Sequence, residues 1–131
     1  MSGHNLTVDE VLSRALGPVL HDLRGAGIGA PKFKDYGSSD EESSSINLVS
    51  PDGSESNLRV HYSGSESDRV VEAADQVQDW AVAELWPGSP TNWPPCPHHP
   101  AGHPLRASIA VGVAVWTCPA DGTPFGSVGS L

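Results

Sequence analysis

The chain offers little of what usually announces a function. It has only seven Lys and Arg residues against sixteen acids, a net charge of −9, and no cluster of bases. That removes the electrostatic footprint that supplies most nucleic-acid affinity. It also removes a polybasic signal for anionic membranes. No run of 18 apolar residues occurs, and the longest stretch, IAVGVAVW (Ile109 to Trp116), is too short to span a bilayer. The N-terminal MSGHNLTVDEVLSRALG has no basic region followed by an apolar run, so a secretory signal is not expected. These absences place the chain in the cytosol, where its two cysteines are expected reduced or metal-bound rather than bridged. A phosphate loop, a dinucleotide fingerprint and a nucleophile elbow are all missing. The hydrophobic fraction is low at 37%, while 14 Gly and 12 Pro are many, so part of the chain is expected to be loop. A chain of 131 residues buries only a modest core.

What is present is unevenly distributed. Fifteen of the sixteen acids and six of the seven bases lie in residues 1–86. Beyond residue 86 only Arg106 and Asp121 are charged, and nine of the twelve prolines are found there. The composition shift predicts an α+β domain over 1–86, a proline-rich linker over 87–95 and a hairpin module over 96–131.

Within the first part, Val8, Val11, Leu12, Ala15, Leu16, Val19, Leu20 and Leu23 recur at helical spacing. Thr7 and Glu10 form a capping box, and Leu6 with Val11 a hydrophobic staple. Gly17-Pro18 inside the pattern predicts a kink or two short helices. Residues 28–36 hold a short strand. Gly37 to Ser45, GSSDEESSS, has no apolar residue and is expected to be a mobile acidic loop. Ile46 to Val49, the turn Ser50-Pro51-Asp52-Gly53 and the alternating Leu58, Val60 and Tyr62 read as a hairpin, with His61 on its solvated side. Ser65 or Ser67 caps a second helix from Asp68 to Trp86. The fold class is therefore α+β, two helices packed on a small antiparallel sheet, followed by a zinc-ribbon-like β-hairpin module. Trp86 and Trp93 are the interface candidates.

The chemistry-bearing residues lie in WPPCPHHPAGHPL (Trp93 to Leu105) and VWTCPADG (Val115 to Gly122). Zinc favours four tetrahedral ligands drawn from thiolate, imidazole and carboxylate. Two residues between a pair of ligands let one tight turn point both at one ion. Cys96-Pro-His-His99 has that spacing, and so has Cys118-Pro-Ala-Asp121. A strand from Ile109 to Thr117 lies between them. The first three ligands are Cys96, His99 and Cys118. His103 is the best fourth, because the Pro100-Ala-Gly102 turn can fold it back, and Asp121 is the rival. His98, next to His99, points elsewhere.

These two stretches resemble the degenerate zinc ribbons that end many small bacterial proteins, above all actinobacterial ones with a Cys-Pro-x-His…His-Pro-Leu…Trp-x-Cys-Pro pattern. The resemblance covers residues 93–123 and implies no activity. A metal-free proline- and histidine-rich loop, a Cys96–Cys118 disulfide and a catalytic zinc with Asp121 as base remain as alternatives. No Glu accompanies the histidines and neither cysteine has a partner two residues on, so a deaminase is excluded. The expectation is a small cytosolic interaction or assembly protein with a structural zinc and a protein partner or a second copy of itself. The rival readings are a zinc-dependent hydrolase with an open metal position and a ribbon-type accessory factor of a nucleic-acid enzyme.

Overall fold

The α1 helix, Val8–Gly25, turns its apolar phase inward, and Val11, Leu12, Ala15, Leu16, Val19, Leu20 and Leu23 are all buried. The computed structural model describes residues 8–27, 29, 31–34, 42–85, 93–99 and 103–131. The Thr7 cap, the Leu6 staple, residues 37–41 of the acidic stretch, linker residues 87–92 and the interface candidate Trp86 lie outside that set. Of the two expected outcomes, two short helices are not found: α1 runs through Pro18 as one helix. Gly129, at φ +104°, lies so close to Pro18 that an added Cβ would sit 2.9 Å from the proline Cβ.

Among the described residues, six strands and a second helix follow: β1 Lys32–Lys34, β2 Ser43–Val49, β3 Glu55–His61, α2 Glu66–Leu85, β4 Arg106–Ala110, β5 Val113–Thr117 and β6 Pro124–Ser127. They make two antiparallel three-stranded sheets, ordered β1-β2-β3 and β4-β5-β6. The architecture is thus α+β, and the second sheet lies in the stretch expected to form the hairpin module. The cap of α2 is a reciprocal pair: the Ser65 hydroxyl accepts from the Asp68 N–H (3.1 Å), and Asp68 accepts from the Ser65 N–H (2.8 Å).

Ser43 to Ser45, expected in the mobile loop, begin β2 instead and are buried. Burying a hydroxyl is tolerable when it is hydrogen-bonded, and each of these is. Ser44 bonds the Tyr62 hydroxyl (2.7 Å), Ser43 accepts from Arg59 (2.6 Å) and Ser45 accepts from Asn57 (2.9 Å). Side chains of α2 cover the outer edge of β3 at Arg59 and His61. Gln76 accepts from the Arg59 N–H and donates to the Arg59 carbonyl, while Glu72 accepts from the His61 N–H. An edge strand covered in this way is not a template for further pairing.

The single strand expected over Ile109 to Thr117 is two strands joined by a tight turn at Val111-Gly112. One core runs through both halves of the chain. Leu23 of α1, Leu58 of β3 and Val77 of α2 share a buried cluster with Trp93, Leu105, Trp116 and both cysteines. The boundary at 87–95 therefore does not separate two cores. Trp93, expected at an interface, is only 2% exposed and packs edge-on against Trp116 at 5.6 Å. An indole beside a second indole gains more from burial than from presentation to solvent.

Candidate metal centre

Two proline-containing turns build the site. In the first, the His99 N–H donates to the Cys96 carbonyl (3.1 Å), closing a turn around Pro97. Proline suits the second position of such a turn because its φ is already set. In the second, the Gly122 N–H donates to the Cys118 carbonyl (2.8 Å), and the Cys118 N–H donates to the Thr123 carbonyl (2.9 Å). Gly122 has φ +78°, a conformation that glycine enters without steric cost. His103 is brought back by the pairing of Pro104 with Pro95 and by the Leu105 N–H, which donates to the Pro94 carbonyl (2.8 Å). The turn expected over residues 100–102 lies outside the described residues.

The result is a group of four donors. One ligand atom from each of Cys96, His99, His103 and Cys118 lies within 4.8 Å of the others. His99 Nδ1 is 3.7 Å from the Cys96 sulfur and 3.6 Å from the Cys118 sulfur. Zinc–sulfur and zinc–nitrogen bonds of about 2.3 and 2.0–2.1 Å put neighbouring tetrahedral ligands roughly 3.5 Å apart. Both cysteines are free thiols and fully buried. Burial pushes the Cys118 thiol up, and the Cys96 and Asp121 side chains act the same way, against the backbone N–H groups of Asp121 and Ala120. A divalent cation reverses that preference by binding the thiolate.

His103 is the most informative member. Its Nδ1–H faces the Pro104 carbonyl at 3.2 Å. That leaves Nε2 as the acceptor nitrogen, and Nε2 is buried with no hydrogen-bond partner. Buried polar atoms without partners are rare and call for an explanation. A histidine that donates one ring nitrogen to a backbone carbonyl keeps the other available to a metal. Two thiols and two imidazoles this close together could hold a metal ion.

Asp121, the rival fourth ligand, is not in this group. One oxygen accepts from the Thr123 N–H (2.9 Å) and the other lies 3.3 Å from His98 Nδ1. The Thr123 side chain and N–H, and then His98 and Cys118, hold its carboxyl well below the usual carboxylate range against the effect of burial. His98 is turned away from the sulfurs, with its ring edge-on to Phe125 at 4.9 Å. The His98–Asp121 contact links the two turns at the surface.

Beneath the turns lies a polar framework that sequence reasoning missed. Gln78 of α2 is buried and donates to the carbonyls of both Trp93 and Leu105, the residues that flank the first turn. Asp22 of α1 is 1% exposed and accepts from Trp116 Nε1 (2.7 Å), the Gly129 N–H (2.7 Å) and the Leu131 N–H (2.9 Å). The available signal was phase: Asp22 falls on the apolar stripe of Ala15 and Val19, and Gln78 on that of Ala74 and Ala81. An apolar cleft of about 320 Å³ adjoins the first turn, walled by Ala26, Trp93, Pro95, Pro97, Leu105 and Phe125. Its one charged side chain is Asp22, whose carboxylate already accepts those three N–H bonds. No helix among the described residues is long and apolar enough to cross a membrane. No protein-family model, curated protein or solved structure matches the chain.

Proposed function

We propose that the protein is a small non-enzymatic interaction or assembly protein, its C-terminal strands stapled by a structural zinc held by Cys96, His99, His103 and Cys118. One observation carries the metal: Cys96, His99, His103 and Cys118 each bring a ligand atom within 4.8 Å of the others, and His103 Nε2 is buried with no hydrogen-bond partner. Two thiolates and two imidazoles suit zinc in both softness and geometry. The two-turn arrangement is zinc-ribbon-like, each turn opening on Cys-Pro. Four protein donors complete a tetrahedral shell and leave no position for a substrate water, which a catalytic zinc requires. Asp121, the residue a hydrolase would use as base, is engaged by Thr123, His98 and the Cys118 thiol. The net charge of −9 opposes direct contact with nucleic acid.

The test is elemental analysis of protein purified from zinc-supplemented medium. One zinc per chain is expected in the wild type, and none in Cys118→Ser. Wild-type protein without metal, or a Cys118→Ser variant that keeps it, overturns the zinc staple. For the interaction half, affinity capture from the native host is expected to recover a stable partner or the chain's own oligomer. Recovery of neither overturns it.

A further inference from the structure

We infer that the Cys96–Cys118 pair is a peroxide-sensitive switch: oxidation joins the two sulfurs as a disulfide and withdraws two of the four donors from the metal. The inference rests on the zinc reading above for what is released, and on the two thiols alone for the bond that forms. They are the chain's only cysteines, so an internal disulfide has one connectivity. Neither is bridged in the structure. Their sulfurs share a neighbour, since His99 Nδ1 lies 3.7 Å from that of Cys96 and 3.6 Å from that of Cys118. The four ligand atoms lie within 4.8 Å of one another, and the Cys96 side chain is a polar neighbour of the Cys118 thiol. From there the sulfurs close to a bond of about 2.0 Å.

Burial selects the oxidant. Both cysteines are fully buried, and buried thiols are ordinarily inert. The side chain that touches both sulfurs, however, belongs to His99, which is exposed. Movement of that one surface side chain is the shortest route to the pair. Such a route suits a small neutral oxidant, hydrogen peroxide. A bulky anionic one, such as a glutathione disulfide, is opposed by its size and by the Asp121 carboxylate beside the Cys118 thiol. Sulfurs that ligate a metal do so as thiolates, which is also their nucleophilic form.

The chemistry balances in two steps. One thiolate attacks a peroxide oxygen, the O–O bond breaks, and a sulfenic acid forms as hydroxide leaves. The second thiolate attacks the sulfenic sulfur, the S–O bond breaks, and a second hydroxide leaves. Both hydroxides take protons from solvent and become water. Each cysteine sulfur has lost one electron, and the peroxide has gained two. A disulfide sulfur carries no charge with which to hold the ion. His99 and His103 remain, two donors short of the tetrahedral shell of a structural zinc. The cross-link therefore replaces the metal as the tie between the two turns. Reduction by a thiol reverses it, because neither sulfur has passed beyond the reversible rung of the ladder.

The experiment treats the whole chain with hydrogen peroxide in two forms, purified from zinc-supplemented medium and stripped by a chelator. From the loaded form, one zinc per chain is expected to pass to a chromogenic chelator. Mass spectrometry is expected to show both forms lighter by two hydrogens, with neither cysteine open to alkylation. A thiol reductant followed by zinc is expected to restore the starting mass and metal content. Cys96→Ser and Cys118→Ser are expected to show no loss of two hydrogens, and the wild-type arms stand without them. Thiols that survive peroxide overturn the inference. So does a gain of oxygen in place of the disulfide, a disulfide between two chains, or zinc retained by the oxidised chain. A chain that never binds zinc yet closes the disulfide overturns the metal reading alone and leaves the thiol switch standing.

Discussion

The indole N–H of Trp116 donates to the Asp22 carboxylate across 2.7 Å, although 94 residues separate them in sequence. Trp116 lies two positions before Cys118, and its ring packs against Trp93, three positions before Cys96. Asp22 therefore anchors the aromatic floor under the candidate metal site to α1. The same carboxylate accepts the Gly129 and Leu131 N–H groups. Removing it leaves three donors short of a partner, and an unsatisfied buried donor costs about 1–3 kcal/mol. Asp22→Ala is expected to lose about 3 kcal/mol or more of unfolding free energy in urea. Trp116→Phe, which removes one donor, is expected to lose less. Strong coupling in the double-mutant cycle checks that the bond itself is responsible, and additive losses would reject that account.

The four donors make separable predictions for metal content. His103→Ala removes a nitrogen with no other partner, and is expected to lower zinc occupancy by at least tenfold. Asp121→Ala and His98→Ala remove groups outside the cluster and are expected to keep the metal. On the proposed zinc staple, chelation of the wild type is expected to lower its melting temperature, because an ion held by these four side chains would stabilise the folded chain. Zinc content by elemental analysis and melting by circular dichroism check all three. Loss of zinc from Asp121→Ala with retention in His103→Ala would reverse the choice of fourth ligand.

The hairpin tip has its own signature in stability. Holding an L-residue in the left-handed region costs about 1–2 kcal/mol, and Val111 is held there. Its side chain is wholly exposed, so replacement removes no packing. Val111→Asn suits a two-residue turn with positive φ at both positions, and is expected to raise unfolding free energy by about 1 kcal/mol. Urea titration measures it. An unchanged or reduced stability would mean that the turn is not strained.

Much of the fold could be read from periodicity, and the rest failed for physical reasons. The apolar phases of α1 and α2 are buried as their spacing predicts, because a helix presents one stripe to a core. The spacing of Cys96 to His99 and the two Cys-Pro starts placed the ligand candidates on tight turns, which the backbone bonds there form. Ser43 to Ser45 were misread because composition ignores partners: Arg59, Asn57 and Tyr62 lie 16, 12 and 18 residues away. The Val111-Gly112 turn was hidden by a valine in a conformation that valine rarely adopts. Trp93 seemed exposed because prolines surround it, yet α2 supplies Gln78 to satisfy its carbonyl.

Asp75 on α2 gives a pH signature with a definite sign. Burial pushes its carboxyl up, Arg106 on β4 pulls it down, and Asp79 one turn along α2 pushes it up again. The folded chain thus holds the Asp75 proton more tightly than the unfolded chain, whose carboxyl titrates near pH 3.9. A group of this kind favours folding fully below the unfolded pKa. That contribution is lost as pH rises through the raised folded value, so the carboxylate opposes folding at neutral pH. Asp75→Asn is therefore expected to raise the melting temperature at pH 7, with a gain that disappears below about pH 4. The side chain is partly solvated, which limits the gain to a few tenths of a kcal/mol. Arg106→Gln removes the one favourable charge and is expected to lower stability at pH 7 while leaving it unchanged at about pH 3. Melting curves of the wild type and both variants between those limits check the sign. If Asp75→Asn destabilised the chain at pH 7, the attraction to Arg106 would outweigh burial, and the carboxylate would stabilise the contact between α2 and β4.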